Sequence, residues 1–177
     1  MSGKYIISQA AEEDLEAVAR LYVNSWKSTY PGLVPAWYLA GLNDADAERN
    51  WRQYISRHNQ FILVARLPCG NIAGMIAAQA TWEIVNTAYI AALHVEKNFR
   101  GLGIGKELIK AAARKFVAQG ISRLALAVIE GNDNAMAVYR RLGAQKLDYR
   151  LHHEGFTATE YVLLWPDVHL LISDYAD

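Results

Sequence analysis

Two strand-length runs that are almost wholly apolar, TAYIAALHV at 87–95 and RLALAVIE at 123–130, flank a helix-like segment, IGKELIKAAARKFVAQG at 104–120. A strand apolar on both parities needs cover on both faces, which is the habit of strands in the middle of an α/β sheet. Between them Ile104, Leu108, Ala112 and Phe116 recur at four-residue steps, one helical face, and Gly120 stands where a helix C-terminus favours glycine. A strand, a crossover helix and a strand make a βαβ unit, and its two strands are parallel.

The remaining segments arrange themselves around that unit. KYIISQA (4–10) reads as a first strand, and AEEDLEAVARLYVNSW (11–26) as a helix with Leu15, Val18, Ala19 and Tyr22 on one face behind an acidic first turn. STYPGLVP follows as a loop. Residues 35–58 read as one or two short helices, with Pro35 in a first turn and Asp44 as a cap. QFILVARL (60–67), the turn PCGN, and IAGMIAAQATWE (72–83) predict an antiparallel hairpin. NDNAMAVYRRLGA (132–144) predicts a further helix, and QKLDYRLHH, EG and FTATEYVLLW a closing hairpin.

At 177 residues and 53% hydrophobic, with no repeat, low-complexity tract or Pro/Gly/Ser linker, the chain reads as one domain spanning 1–177. Lys and Arg number 18 and Asp and Glu 18, so no net field gathers nucleic acid or an anionic membrane. No window approaches the roughly 18 apolar residues a spanning helix needs, and the expectation is a soluble, cytoplasmic protein. Cys69 is the only cysteine; it excludes an internal disulfide and a cysteine metal cluster, and fits a reducing compartment. His152-His153 stands too far from other ligand types to argue for a metal.

Arg100, Gly101, Gly103 and Gly105 interrupt the chain between the first buried strand and the helix. A loop that opens a helix leaves several N–H groups without intrahelical partners, at the positive end of the helix dipole. Glycine lets such a backbone take unusual dihedrals and come close to an anion. Lys97, Arg100, Lys106, Lys110, Arg114 and Lys115 against Glu107 give residues 97–115 a local charge of +5 in a neutral chain. The plainer reading is a solvated basic helix face beside a tight turn. A dinucleotide fingerprint is excluded because the third glycine comes one residue early, and a nucleotide P-loop because Gly101 is four residues before Gly105-Lys106 and Glu107 follows the lysine.

Arg100-Gly101-Leu102-Gly103-Ile104-Gly105 matches in full the R/Q-x-x-G-x-G/A motif of the GCN5-related N-acetyltransferase (GNAT) superfamily, which this chain resembles. Leu93-x-Val95 is similar to the end of that family's fourth strand, and Asn132, Ala135, Tyr139 and Gly143 follow its N-x-x-A-x-x-x-Y-x-x-x-G helix. The resemblance runs from about residue 5 to 165, with Ala144 departing from the phenylalanine many relatives carry. It implies a mixed, largely antiparallel central sheet with one parallel βαβ pair, strands 4 and 5, flanked by helices.

The resemblance further implies an N-acetyltransferase in which a small-molecule or peptide amine attacks acetyl-CoA directly, within a ternary complex and without a metal. The N–H groups of Gly101, Leu102, Gly103, Ile104, Gly105 and Lys106 would hold the diphosphate, while Arg100 either meets a phosphate or braces the turn. The backbone of Leu93 and Val95 would pair with the pantetheine arm, and a main-chain N–H there would face the oxyanion. Tyr139 is either a core tyrosine or the acid that protonates the leaving thiolate, and Asn132 either meets the cofactor or caps its helix.

A lysine-like acceptor is neutral in only about one part in 2,500 at pH 7, a handicap near ~4.6 kcal/mol unless a base takes the proton. Glu83 leads the candidates, with His94 and Glu130 beside it. Trp26 and Tyr30, with Trp37 and Tyr38, lie in the segment that roofs the acceptor site in the family and suit a flat or cationic substrate. Core packing explains Trp37 and Trp51 as well. Family habit also implies a homodimer through the final strands, to which the apolar EYVLLWPDVHLLI lends a surface. A non-catalytic acyl-CoA-binding regulatory module is the alternative, and a nucleic-acid-binding helix over 104–119 is disfavoured by the zero net charge.

Overall fold

The computed structural model describes residues 5–80, 82–152 and 155–173, the His152 side chain excepted. Among these residues seven strands form one sheet: β1 (Ile6–Gln9), β2 (Gln60–Arg66), β3 (Ile72–Gln79), β4 (Thr87–Val95), β5 (Arg123–Ile129), β6 (Gln145–His152) and β7 (Ala158–Trp165). Their spatial order is β1-β2-β3-β4-β5-β7-β6. Every pairing is antiparallel except β4 with β5, as the crossover between them requires.

Among the described residues six α-helices cover the sheet: α1 (Leu15–Thr29), α2 (Ala36–Gly41), α3 (Asp44–Ile55), α4 (Ile104–Val117), α5 (Asp133–Arg141) and the short α6 (His169–Ile172). Alternation along the strands divides the core in two. One face sends Ile62, Val64, Met75, Ala77 and Ala92 against α1 and α3. The other sends Leu63, Ile76, Ile90, Leu126 and Leu163 against α4, with Tyr139 of α5 and Leu171 of α6 in the same cluster. The fully buried Leu108, Ala112 and Phe116 confirm the helix face read from the four-residue steps.

Several boundaries differ from expectation for local reasons. Helix α1 runs on to Thr29, through the first two residues of the segment read as a loop. Asn43, not Asp44, caps α3, its side chain accepting the Asp46 N–H at 2.9 Å. Strand β3 stops at Gln79, so Glu83 lies in the connection to β4 rather than at a strand end. The C-terminal apolar run partly returns to the core: Val168 and Leu171 are buried, and Val168 donates its N–H to Ser122 O. Lys4, Thr81, His153 of the predicted strand QKLDYRLHH and Glu154 of the predicted turn lie outside the described residues.

Two irregularities shape the centre of the sheet. In β4 Ile90 faces Ala78 and Ala92 faces Ala77, which makes Ala91 an extra, bulged residue. On the other side, β4 and β5 pair only from Thr87 with Arg123 to Ile90 with Leu126. Beyond Ile90, β4 stays with β3 through Val95, whereas β5 stays with β7 through Ile129. The two parallel strands therefore splay into a V.

Candidate active site

A cavity of about 710 Å³ fills the V and extends under the α1 and α2 segments. One of its walls is the freed edge of β4. Glu96 donates its N–H to Ala73 O at 2.9 Å, in the register that pairs Val95 with Gly74. Backbone direction alternates along a strand, so His94 turns its amide and carbonyl to β3, and Leu93 and Val95 turn theirs into the V. Their side chains pack against the core, as expected of residues whose backbone matters.

At the end of that edge a 3₁₀ turn, Lys97–Phe99, leads into Arg100 and the glycine loop. Gly101 and Gly103 take φ of +77° and +81°, left-handed values that cost other L-residues about 1–2 kcal/mol. Gly103 is the N-cap of α4, and the first intrahelical bond is Glu107 N–H to Gly103 O. Among the described residues no backbone group accepts from the N–H groups of 101 to 106. A row of open amides at a helix N-terminus, with Lys106 beside it, is an anion cradle. Its donors and charge fit the diphosphate expected from the motif.

Arg100 braces the turn, one of its two sequence readings. Its Nε donates to Val95 O at 3.0 Å, and its Nη2 lies 3.3 Å from Thr29 Oγ1 and 3.5 Å from Ser25 Oγ. One guanidinium thus joins the end of β4, the end of α1 and the start of the cradle.

Tyr139 is buried at the floor of the cavity, its ring edge-on to Trp165 at 6.0 Å. Burial, reinforced by the neighbouring phenol of Tyr30, raises its pKa and keeps it protonated throughout the neutral range. Tyr30 hangs from the end of α1, across the sheet from α5, so the two phenols approach through the V. Burial raises the Tyr30 pKa too, offset in part by a hydrogen bond with Asn132. Asn132 caps α5, its Oδ1 accepting the Ala135 N–H at 3.3 Å, which is the second of its two readings.

Three of the four aromatics of the segment read as the acceptor roof come together at the cavity. Trp26 lies 4.5 Å from Tyr30 and 5.9 Å from Tyr38, and all three line the cavity. Trp51 is core and also lines it, but Trp37 is 65% exposed, which corrects its core reading.

The three sequence candidates for a base fare differently. Glu83 reaches the cavity rim, with its side chain 77% exposed and 3.8 Å from Arg150. His94 is buried with Nδ1 2.8 Å from Ser25 Oγ, and burial, then the charge of Arg100, lower its pKa to about 3. Both causes favour the neutral imidazole, whose Nδ1 is engaged with Ser25. Glu130 is exposed and accepts a hydrogen bond from Tyr161 at 2.5 Å, outside the cavity.

Two lining residues escaped the sequence reading, Arg150 of β6 and Glu160 of β7, which face each other in register. Arg150 Nε donates to Glu160 Oε2 at 3.0 Å and its Nη2 to Tyr89 Oη at 2.9 Å. Glu160 left a signal, a charge at the parity of Val162 in a largely apolar strand, whereas Arg150 shares its parity with Asp148 and left none.

With the cradle, the freed strand edge and the phenol at its floor assembled, comparison with known proteins decides the family. A family model for the acetyltransferase (GNAT) family matches residues 11–144. The chain belongs to the GNAT family. This GNAT chain is 25% identical to the uncharacterized N-acetyltransferase YuaI of Bacillus subtilis over 168 residues, 93% of this chain and 95% of that one. It is 41% identical to the thialysine N-epsilon-acetyltransferase of Bos taurus over 68 residues, a match that spans 38% of this chain and 39% of that protein. Its fold is that of the PaiA N-acetyltransferase of Thermoplasma acidophilum in complex with coenzyme A, with a TM-score of 0.71, 22% identity, and coverage of 91% and 98% of the two chains. Among the described residues no group of three His, Cys, Asp or Glu side chains could hold a metal ion, and no helix is long and apolar enough to cross a membrane.

Proposed function

We propose that this GNAT chain, acting as a single domain, transfers an acetyl group from acetyl-CoA to a primary amine by direct attack within a ternary complex. The observation that carries the reading is the continuity between the backbone edge that β4 frees from β5, whose Val95 carbonyl is held by Arg100, and the open amides of the glycine loop. The freed edge of β4 at Leu93 and Val95 runs straight into the open amides of 101 to 106. An extended, amide-bearing arm ending in a diphosphate is complementary to that path.

In this reading the amides of Gly101 to Lys106 bind the diphosphate, Leu93 hydrogen-bonds the pantetheine arm, and Arg100 holds the turn in place. The amine's nitrogen attacks the thioester carbonyl, the C–S bond breaks, and Tyr139 gives its phenolic proton to the departing sulfur. A phenol kept neutral has that proton to give. Trp26 and Tyr30 wall the acceptor, and Glu83 at the rim passes a proton to water. The relatives named thialysine N-epsilon-acetyltransferase, from Bos taurus, and N-alpha-acetyltransferase MAK3, from Arabidopsis thaliana, are both named for acetylation at nitrogen, which supports an amine acceptor here. The free, exposed thiol of Cys69 accords with the cytoplasm, and exposed Leu147 and Tyr149 on the outer strand β6 accord with a homodimer.

Calorimetric titration with acetyl-CoA, followed by assay of CoA release across a broad amine panel, tests the reading. Binding with amine-dependent release is the expected result. Binding without release with any amine would instead favour a regulatory module, and no binding would end the proposal.

A further inference from the structure

The His94 ring lines the cavity edge-on to Tyr22 of α1 at 5.2 Å, and Tyr22 in turn lies 5.8 Å from Trp26 of the aromatic wall. Its two nitrogens meet different surroundings. Nδ1 lies 2.8 Å from Ser25 Oγ, in a buried contact between β4 and α1. Nε2 has no hydrogen-bond partner among the described residues. Nor is it one of the unpartnered polar atoms sealed inside the protein, which among those residues are Trp26 Nε1, Trp51 Nε1, Tyr54 Oη and Gln60 Oε1. Nε2 therefore opens onto the cavity.

Ser25 decides which nitrogen carries the proton. Among the described residues its buried hydroxyl meets only His94 Nδ1 and, at 3.5 Å, Nη2 of Arg100. A guanidinium has donors and no acceptor. A buried O–H is costly unless it finds an acceptor, so the Ser25 hydrogen goes to Nδ1 and the imidazole proton stays on Nε2. Burial and then the charge of Arg100 keep the ring neutral. Arg100, Ser25 and His94 thus form one chain of donations, which starts at the glycine loop and ends at the aromatic wall.

An N–H open to a cavity calls for an oxygen. We propose that Ser25 is a positioning residue, which together with Arg100 locks His94 as the Nε2–H tautomer, and that this N–H receives a carbonyl or hydroxyl oxygen of the acceptor. A guest with ammonium donors alone leaves the N–H unmatched, so the cavity selects amines that carry such an oxygen. The inference rests on the acetyltransferase reading only in naming the guest the acceptor.

Nitrogen-15 NMR of the whole protein labelled at histidine tests it, with His94 assigned from the spectrum of His94→Gln. The native protein should show His94 protonated at Nε2, with Nδ1 accepting a hydrogen bond. Glycinamide, which has a carbonyl beside its ammonium, should move the Nε2–H resonance and bind about fivefold tighter than n-propylammonium, a cation of similar length without an acceptor. Ser25→Ala should release Nδ1 from its hydrogen bond and reduce that preference to less than about twofold. CoA and acetyl-CoA should leave the resonance in the same place. Protonation at Nδ1, equal or absent responses to the two probes, or a preference that survives in Ser25→Ala would overturn the proposal. So would a resonance that moves with acetyl-CoA but not with CoA, which would give the N–H to the thioester carbonyl. The native tautomer and the native probe ratio stand without the variant, should it fail to fold. Neither depends on turnover, so a failure of acetyl transfer and a failure of this inference are told apart.

Discussion

Arg100 donates its Nε to the carbonyl of Val95 at 3.0 Å, and so clamps the last residue of the freed strand edge to the first residue of the glycine loop. Five residues separate them, and the bond fixes the direction in which the loop leaves the sheet. Replacing Arg100 by Ala should weaken acetyl-CoA binding by about tenfold while leaving secondary structure unchanged. Lysine should restore little, because an ammonium does not reproduce the planar fork that reaches Val95, Thr29 and Ser25 together. Isothermal titration of the two variants checks both statements.

Gly103 and Gly105 should respond oppositely to a methyl group. Gly103 sits at φ +81°, so Gly103→Ala strains the backbone by about 1–2 kcal/mol and should turn cradle amides away from their common target. Gly105 is in the first turn of α4, and an added Cβ would meet only Val95 Cγ2, at 3.8 Å. Gly105→Ala should therefore be neutral to slightly stabilising, since alanine is the better helix former. Urea unfolding and acetyl-CoA titration of the pair will separate them, and equal losses of affinity would remove the role given to the left-handed turn.

Tyr139→Phe removes one oxygen from a buried ring already packed on Trp165. The expected outcome is a fall in kcat of about 10²-fold, the scale of one general acid, with acetyl-CoA affinity nearly unchanged. Steady-state kinetics with a saturating amine measures it. An unaltered kcat would return Tyr139 to the core alone.

Stability should decline on mild acidification because of His94. The unfolded chain binds a proton at this residue near pH 6.5, whereas the folded chain resists it down to about 3. Its neutral form contributes fully above pH 6.5, and the contribution is lost as pH falls between those values. At pH 4.5 the loss amounts to about 2–3 kcal/mol by that linkage. His94→Gln should flatten this part of the profile in urea denaturation. A native protein equally stable at pH 7 and 4.5 would contradict the buried, neutral histidine.

The cofactor half of the site was legible in the sequence because its chemistry is local. Arg100, the glycines and the first turn of α4 are consecutive, and left-handed turns and open helix amides leave a compositional trace. The Asn132-to-Tyr139 spacing was legible for the same reason, two turns of one helix. The acceptor half is not local. Glu160 and Arg150 belong to strands whose neighbours are set by the sheet order, with β7 inserted between β5 and β6, an arrangement that no pattern within either strand announces. Glu83 reads in the sequence as a strand end, whereas β3 stops four residues earlier and leaves it in the connection to β4. Helix α6, four residues long, is too short to show a period, and its buried Leu171 passed for surface.

The bulge at Ala91 has a consequence larger than its size. Each residue after it points the opposite way from where an unbroken count from Thr87 would put it. Were Ala91 instead paired regularly with Ala77, the count would carry His94 opposite Gly74, and His94 would offer the V the hydrogen-bonding groups now offered by its neighbours. A single small, chemically inert side chain thus decides which way the catalytic groove opens.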